Sequence, residues 1–230
     1  MTLPEVPPGF YWTEESWGAA LRCRALDPIA QHLFTTRQLQ LPADEAWRAL
    51  AAAVGVAGDH VVSLNQVHGR DVVVVRDTLP GERPKADALV SDRPDAALVV
   101  RAADCVPLLI GDVVVAIGPA IGPCCYEVGS DLVDAFAAAG HERYLIDRWF
   151  LTPREQKMRL DVVGANRDHL VLAGVREENI HASGLCTAMH LDVLTSYRAE
   201  KEHAGRIAGV IRACPRTNEV SRGATTVNRS

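Results

Sequence analysis

The chain has no long apolar run, no basic tract and no paired-cysteine spacing, and each absence excludes something. Its longest apolar stretch, near Val113 to Ile121, falls far short of the roughly 20 residues that cross a bilayer, so no membrane partner is expected. The 24 lysines and arginines are scattered among 29 acidic residues, for a net charge of −5. Tracking a phosphate backbone takes clustered positive charge, so nucleic acid is not an expected partner either. The N-terminal MTLPEVPPGFYWTEESWG lacks the basic and apolar regions of a secretory signal, and a cytoplasmic location is expected. Cys23, Cys105, Cys124, Cys125, Cys186 and Cys214 show no CxxC spacing. In a reducing compartment they are read as buried thiols or metal ligands rather than disulfides; a bond between the adjacent Cys124 and Cys125 would be strained.

What is present suits an ordinary globular protein. Hydrophobic residues make up 48% and charged residues 23% of 230. Pro4 to Gly9 reads as a loose arm. Pro42 to Val56 predicts a helix, with Asp44 as N-cap and Gly55 at its end. Strand-like runs follow at His60–Leu64, Asp71–Val75, Ala86–Val90, Ala96–Arg101, Val106–Ile110 and Val113–Ile117, the last two joined by a Gly111-Asp112 hairpin turn. Helices are expected over Ser130–Ala139 and Leu160–Ala173, strands over Asn179–Ser183 and Arg206–Arg212, and a short helix or turn over His190–Arg198. Strands and helices mix without a βαβ rhythm. The pattern predicts an α+β fold, a layered α/β sandwich with a mixed sheet, preceded by an arm over 1–29 and followed by a polar tail over 213–230.

The chemistry concentrates in Arg101 to Val128, RAADCVPLLIGDVVVAIGPAIGPCCYEV, and in LNQVHGR at 64–70. Read singly, His68 is a surface or packing histidine, and Cys105 is a buried thiol, free cysteine being among the most buried residue types. Read together, they are a candidate metal pair. Zinc takes thiolate and imidazole, and a catalytic zinc needs three protein ligands; copper(II) also accepts imidazole. A metal-free Cys–His hydrolase would use the same two residues. Asp104 is a candidate acceptor that orients a ligand histidine, or a turn cap. Arg37 and Arg198 are candidate anion clamps, or solvated surface arginines. The Gly/Pro segment before the Ser130 helix lets backbone approach a ligand, or is only a turn; it is no Walker motif. His141, His169, His190 and His203 are read as surface residues.

Taken in order, HLFTTR, LNQVHG, ADALV, ADC, AIGPAIGPCCYEV, GLCT, SYRAE and GRIAGVI resemble the multicopper polyphenol oxidase (laccase) or bacterial purine nucleoside phosphorylase family of DUF152 type, over 30–212. The resemblance implies a layered α/β domain and a His–Cys–His metal site, zinc or copper, in which His68 and Cys105 match the first two ligands. It implies phosphorolysis of adenosine, inosine, guanosine and methylthioadenosine, adenosine deamination, and in an older reading copper-dependent phenol oxidation. Purine nucleosides and phosphate are the implied partners of a monomer or homodimer.

The family's third ligand lies in an HAGWRG segment, which this chain lacks. Gly111-Asp112 runs straight into VVVAIGPAIGP, so one strand–helix unit is expected to be missing after Asp112. Metal binding should then be weak or absent unless Cys124, Cys125 or His190 substitutes. A non-catalytic or truncated family member is the alternative reading. The chain also lacks the dense His-X-His arrays of a true multicopper site.

Overall fold

The computed structural model describes residues 2–152 and 157–215; the expected tail from Thr217 lies outside them. Strands β1 (Phe10–Glu15), β2 (Gly18–Cys23) and β3 (Ala30–Thr35) lead into helix α1 (Asp44–Val54). Then come β4 (Val61–Ser63), β5 (Val72–Val74), β6 (Ala88–Val90), β7 (Ala97–Ala102), β8 (Leu108–Gly111) and β9 (Val114–Ile117). Helices α2 (Asp131–Ala138) and α3 (Arg143–Trp149) precede the short strands β10 (Phe150–Leu151) and β11 (Arg159–Leu160). The chain continues through α4 (Val162–Leu172), β12 (Ile180–Ala182), α5 (Tyr197–Glu200) and β13 (Ile207–Ala213).

The main sheet has six strands in the order β1-β2-β3-β13-β7-β4, antiparallel except for the parallel β7/β4 pair. A smaller sheet, β12-β9-β8, pairs β12 parallel and β8 antiparallel to β9. The period-2 alternation of a strand sends successive side chains to opposite faces, and it sorts the core into layers. Phe34, Ala102 and Ile207 face Leu109 and Ala116 of the small sheet. Leu33, Val99 and Val210 face Leu50 and Val54 of α1. Val115, Ile117 and Ile180 turn outward toward Val163 and Leu170 of α4. The layers are therefore α1, main sheet, small sheet, α4: an α+β fold with mixed sheets. The Phe34 ring fills the space that a Cβ at Gly118 would need, 2.4 Å from its edge, so the first glycine of GPAIGP belongs to the core.

Several expectations need correction. Residues 10–23, expected in an arm, form the first two strands of the main sheet, with Phe10, Leu21 and Cys23 in its core. The N-cap of α1 is Ala43 rather than Asp44, which sits in the first turn with Glu45; there both carboxylates favour the positive helix end. Gly55, at φ 73°, closes α1 as expected. The β8–β9 turn is Asp112-Val113, one residue beyond the expected pair, because Gly111 pairs with Val114. Both turn residues have positive φ, 45° and 67°, as a two-residue twisted hairpin requires. Valine is a poor residue there: its branched Cβ crowds the left-handed region. His169 is exposed as expected and His141 is half-buried; their rings also pack against Trp149, with centroids 5.0 and 5.3 Å away.

Candidate active site

Two parallel strands bring the main candidates together. β4 and β7 are neighbours running the same way, so the loops leaving their C-terminal ends emerge on one side. The first carries His68 and the second Cys105, and His68 Nε2 lies 3.7 Å from Cys105 Sγ. Both are exposed. The Gln66 Oε1 atom binds the two loops by accepting from the Arg101 amide at 2.9 Å.

The loop around His68 is held by Asp87, the acidic residue of the ADALV motif. The amides of Val67, His68 and Gly69 all donate to the Asp87 carboxylate, at 3.1, 2.9 and 2.7 Å. These bonds, Gly69 foremost, hold the Asp87 carboxyl below its ordinary range. They also fix His68 at φ 56°, and Asp104 sits at φ 83°. Two non-glycine residues in left-handed backbone at one site mark a segment whose surroundings impose its shape.

Asp104 is a structural hub. Its Oδ1 accepts from the Thr187 hydroxyl and its Oδ2 from the Arg198 amide, each at 2.6 Å. It thereby pins the GLCT loop and the start of α5 to the loop that carries Cys105; it does not orient a histidine. Arg37 lies outside the cleft. Its guanidinium pairs with Glu200 at 2.9 Å and donates to the Leu191 carbonyl, so it is committed to fold contacts. Arg198 is in the cleft, over the Tyr126 ring at 5.0 Å and donating to the Glu127 carbonyl.

His68 and Cys105 open onto a cleft of about 1500 Å³. Its lining includes Arg83, Arg101, Arg198, Lys201 and Arg206. Among the described residues none of these five forms an ion pair. Arg101, next to last in β7, has its Nε buried and without a hydrogen-bond partner among the described residues. Burial, then the nearby Arg83 and Arg206 charges, lowers its proton affinity. An unpaired, partly buried cation beside two others is a place where an anion would be stabilised. None of Arg83, Arg101, Lys201 and Arg206 was singled out from sequence. The available signal was an arginine closing an apolar strand just before Asp104-Cys105.

The 3.7 Å separation suits two ligands of one tetrahedral zinc, whose S and N donors stand about 3.6 Å apart. Among the described residues, however, no third His, Cys, Asp or Glu joins this pair; the one group of three donors is Cys124, Cys125 and Cys186. The expected substitutes Cys124 and Cys125 thus gather elsewhere, and His190 does not line the cleft. The residues present do not complete a three-ligand catalytic site. Without a metal, protein packed around its sulfur and then the Asp104 charge push the Cys105 thiol up. That works against a thiolate nucleophile and against the Cys–His hydrolase reading.

This layered architecture has counterparts among solved structures. The crystal structure of YlmD from Geobacillus stearothermophilus superposes with a TM-score of 0.73, at 24% identity over 89% of this chain and 99% of that one. The Bacillus licheniformis hypothetical protein YfiH gives 0.72, at 22% identity over 87% and 97%. The chain belongs to the multi-copper polyphenol oxidoreductase laccase family, whose model matches residues 40–114 and 110–214. Those two pieces meet at the β8–β9 turn, where the sequence lacks HAGWRG. Curated relatives include a purine nucleoside phosphorylase of Deinococcus radiodurans, 34% identical over 74% of this chain and 77% of the relative. Another is purine nucleoside phosphorylase YlmD of G. stearothermophilus, 29% identical over 71% and 76%. No helix among the described residues is long and apolar enough to cross a membrane.

Proposed function

We propose that the cleft performs phosphorolysis of purine nucleosides, with adenosine, inosine, guanosine and methylthioadenosine as the substrate class. The observation that carries this reading is the group of five cations around His68 that have no ion-pair partner among the described residues, with the Arg101 Nε buried and unsatisfied. The names of the relatives support it. Arg101, Arg83 and Arg206 hold the phosphate. One of its oxygens forms a bond to C1′ of the sugar while the C1′–N9 bond breaks. The electron pair passes to the purine, which takes a proton from the His68 imidazolium. The cationic wall stabilises the phosphate as it approaches the oxocarbenium-like sugar. The proton carried by hydrogen phosphate then restores His68, leaving the free base and a sugar 1-phosphate.

Adenosine deamination would need an activated hydroxide. With two donors instead of three, the cleft is not built to supply one, and the same shortage works against copper-dependent phenol oxidation. One observation favours a second reading, a non-catalytic family member: the family match breaks at the strained Asp112-Val113 turn.

The test is the purified chain incubated with each nucleoside and phosphate, with products separated by chromatography. Free base and sugar 1-phosphate are expected. Arg101→Met should raise KM for phosphate about tenfold or more, the worth of one charge-assisted hydrogen bond, with a smaller change in kcat. No product from any of the four nucleosides would sink the reading and leave the non-catalytic one. Inosine formed from adenosine without phosphate would establish deamination instead.

A further inference from the structure

A second pair of parallel strands repeats what β4 and β7 do. β9 and β12 are parallel neighbours, and their C-terminal loops meet as an Ala120–Cys186 bridge. The amide of Ala120 donates to the Leu185 carbonyl and that of Thr187 to the Ala120 carbonyl. The first loop then folds tightly, with the amides of Cys125 and Tyr126 both donating to the Gly122 carbonyl at 3.0 Å. This turn places the sulfurs of Cys124, Cys125 and Cys186 within 4.8 Å of one another. A Cβ at Gly122 would stand only 3.3 Å from both Cys124 Sγ and Cys186 Cβ, so glycine there leaves room for the three thiols to converge.

We propose that Cys124, Cys125 and Cys186 form a three-thiolate binding site for a thiophilic d10 cation, Zn2+ or Cu+, separate from the His68–Cys105 pair. Three sulfurs around one zinc at Zn–S distances of about 2.3 Å stand about 3.8 Å apart. Closing the site therefore takes side-chain rotation of about 1 Å or less, with no movement of strands. Cys186 is buried at the floor, and Cys124 is exposed at the mouth, where an ion enters. Soft thiolate ligands select this class of ion over magnesium or calcium.

The protonation pattern fits. Burial opposes charge on Cys186, but the amides of Gly122, Met189 and Ala188 and the Cys124 thiol hold it below its ordinary value. Gly122 N–H lies 3.2 Å from the Cys186 sulfur. Burial and then its bond to Cys186 push Cys124 up to about 12, and burial raises Cys125 as well. The ion would bond to all three sulfurs as thiolates and displace the protons they carry to solvent.

The experiment uses the full chain carrying His68→Ala and Cys105→Ala, so that the other pair contributes nothing. After chelator treatment it is titrated anaerobically with Zn2+ in one arm and Cu+ in the other. Reactive thiols are counted by a chromogenic disulfide, and Co2+ serves as a spectroscopic probe. One equivalent should bind in at least one arm, protect three thiols, and give thiolate-to-Co2+ charge-transfer absorption. Cys186→Ser should weaken binding at least about tenfold, and Cys214→Ser should change nothing. If Cys186→Ser does not fold, Cys124→Ser carries the test from an exposed position. Binding unchanged in Cys186→Ser or Cys124→Ser, no binding in either arm, or a mass loss of two hydrogens from an internal disulfide would each overturn the proposal.

Discussion

His32 is a fully buried group that acid would charge. Its Nε2 accepts from the Cys23 amide at 2.8 Å, and its Nδ1 faces the Ala30 carbonyl at 3.3 Å. The neutral ring with its proton on Nδ1 satisfies both contacts. A second proton on Nε2 would break the first, and burial holds the pKa of His32 down. The unfolded chain takes that proton near pH ~6.5 while the folded one still refuses it, so the unfolded state binds more protons below that pH. Stability contributed by His32 is therefore present above pH ~6.5 and lost as pH falls beneath it. Urea midpoints should drop between pH 7.5 and 5.5 in the parent, and the drop should be smaller in His32→Gln. An equal drop in both proteins would remove His32 from the account. Residue by residue, His68 and Cys105 could be read from ordered motifs, because each sits beside a glycine or aspartate at a strand end. Asp87 and Arg101 could not, because their roles depend on three amides and two distant arginines that only the fold assembles.

Among the elements, the β8–β9 hairpin carries a measurable flaw. Val113 occupies a left-handed position that costs a branched residue about 1–2 kcal/mol. Val113→Gly should raise stability by about 1 kcal/mol in urea denaturation, glycine's extra freedom in the unfolded chain offsetting part of the gain. A destabilised Val113→Gly would mean that its side chain repays the strain by packing. The sequence pattern located this hairpin but misplaced its turn by one residue, since Gly111-Asp112 has better turn chemistry than Asp112-Val113. Register is decided by which strand faces are buried: Val115 and Ile117 go to one side and Ala116 to the other. α3 was not foreseen because its buried Leu145, Ile146 and Trp149 span only two turns, too few to show a period. β1 was hidden by acidic and aromatic residues whose alternation is only half-buried.

Across the whole molecule, the small sheet is exposed beside the break in the family match. Among the described residues β8 is paired on one side only. A trough of about 760 Å³ runs between β6, β7, β8 and β13, lined by Leu98, Val100, Leu108 and Ile211 among others. Val72, Val90, Ile110 and Val113 around it are each more than half exposed. Apolar surface of that extent binds apolar dyes and invites association. The native protein should enhance the fluorescence of an anilinonaphthalene sulfonate dye, and Ile110→Glu should reduce that signal without lowering the denaturation midpoint. An unresponsive dye would show that the trough is closed in solution. The sequence pattern marks a missing strand–helix unit after Asp112 but not this trough, because the trough arises from the spacing of two sheets.

The strand at the centre of the main sheet, β13, is also the last strand described. A ribosome must therefore deliver more than 200 residues before the two flanks, β1-β2-β3 and β7-β4, can join by strand pairing into one sheet. Until Ile207–Ala213 emerges, each flank has an open strand edge, the kind of surface that is prone to aggregate during synthesis. A translation stop just short of Ile207 would leave two half-sheets with no backbone pairing between them, instead of a slightly shorter protein.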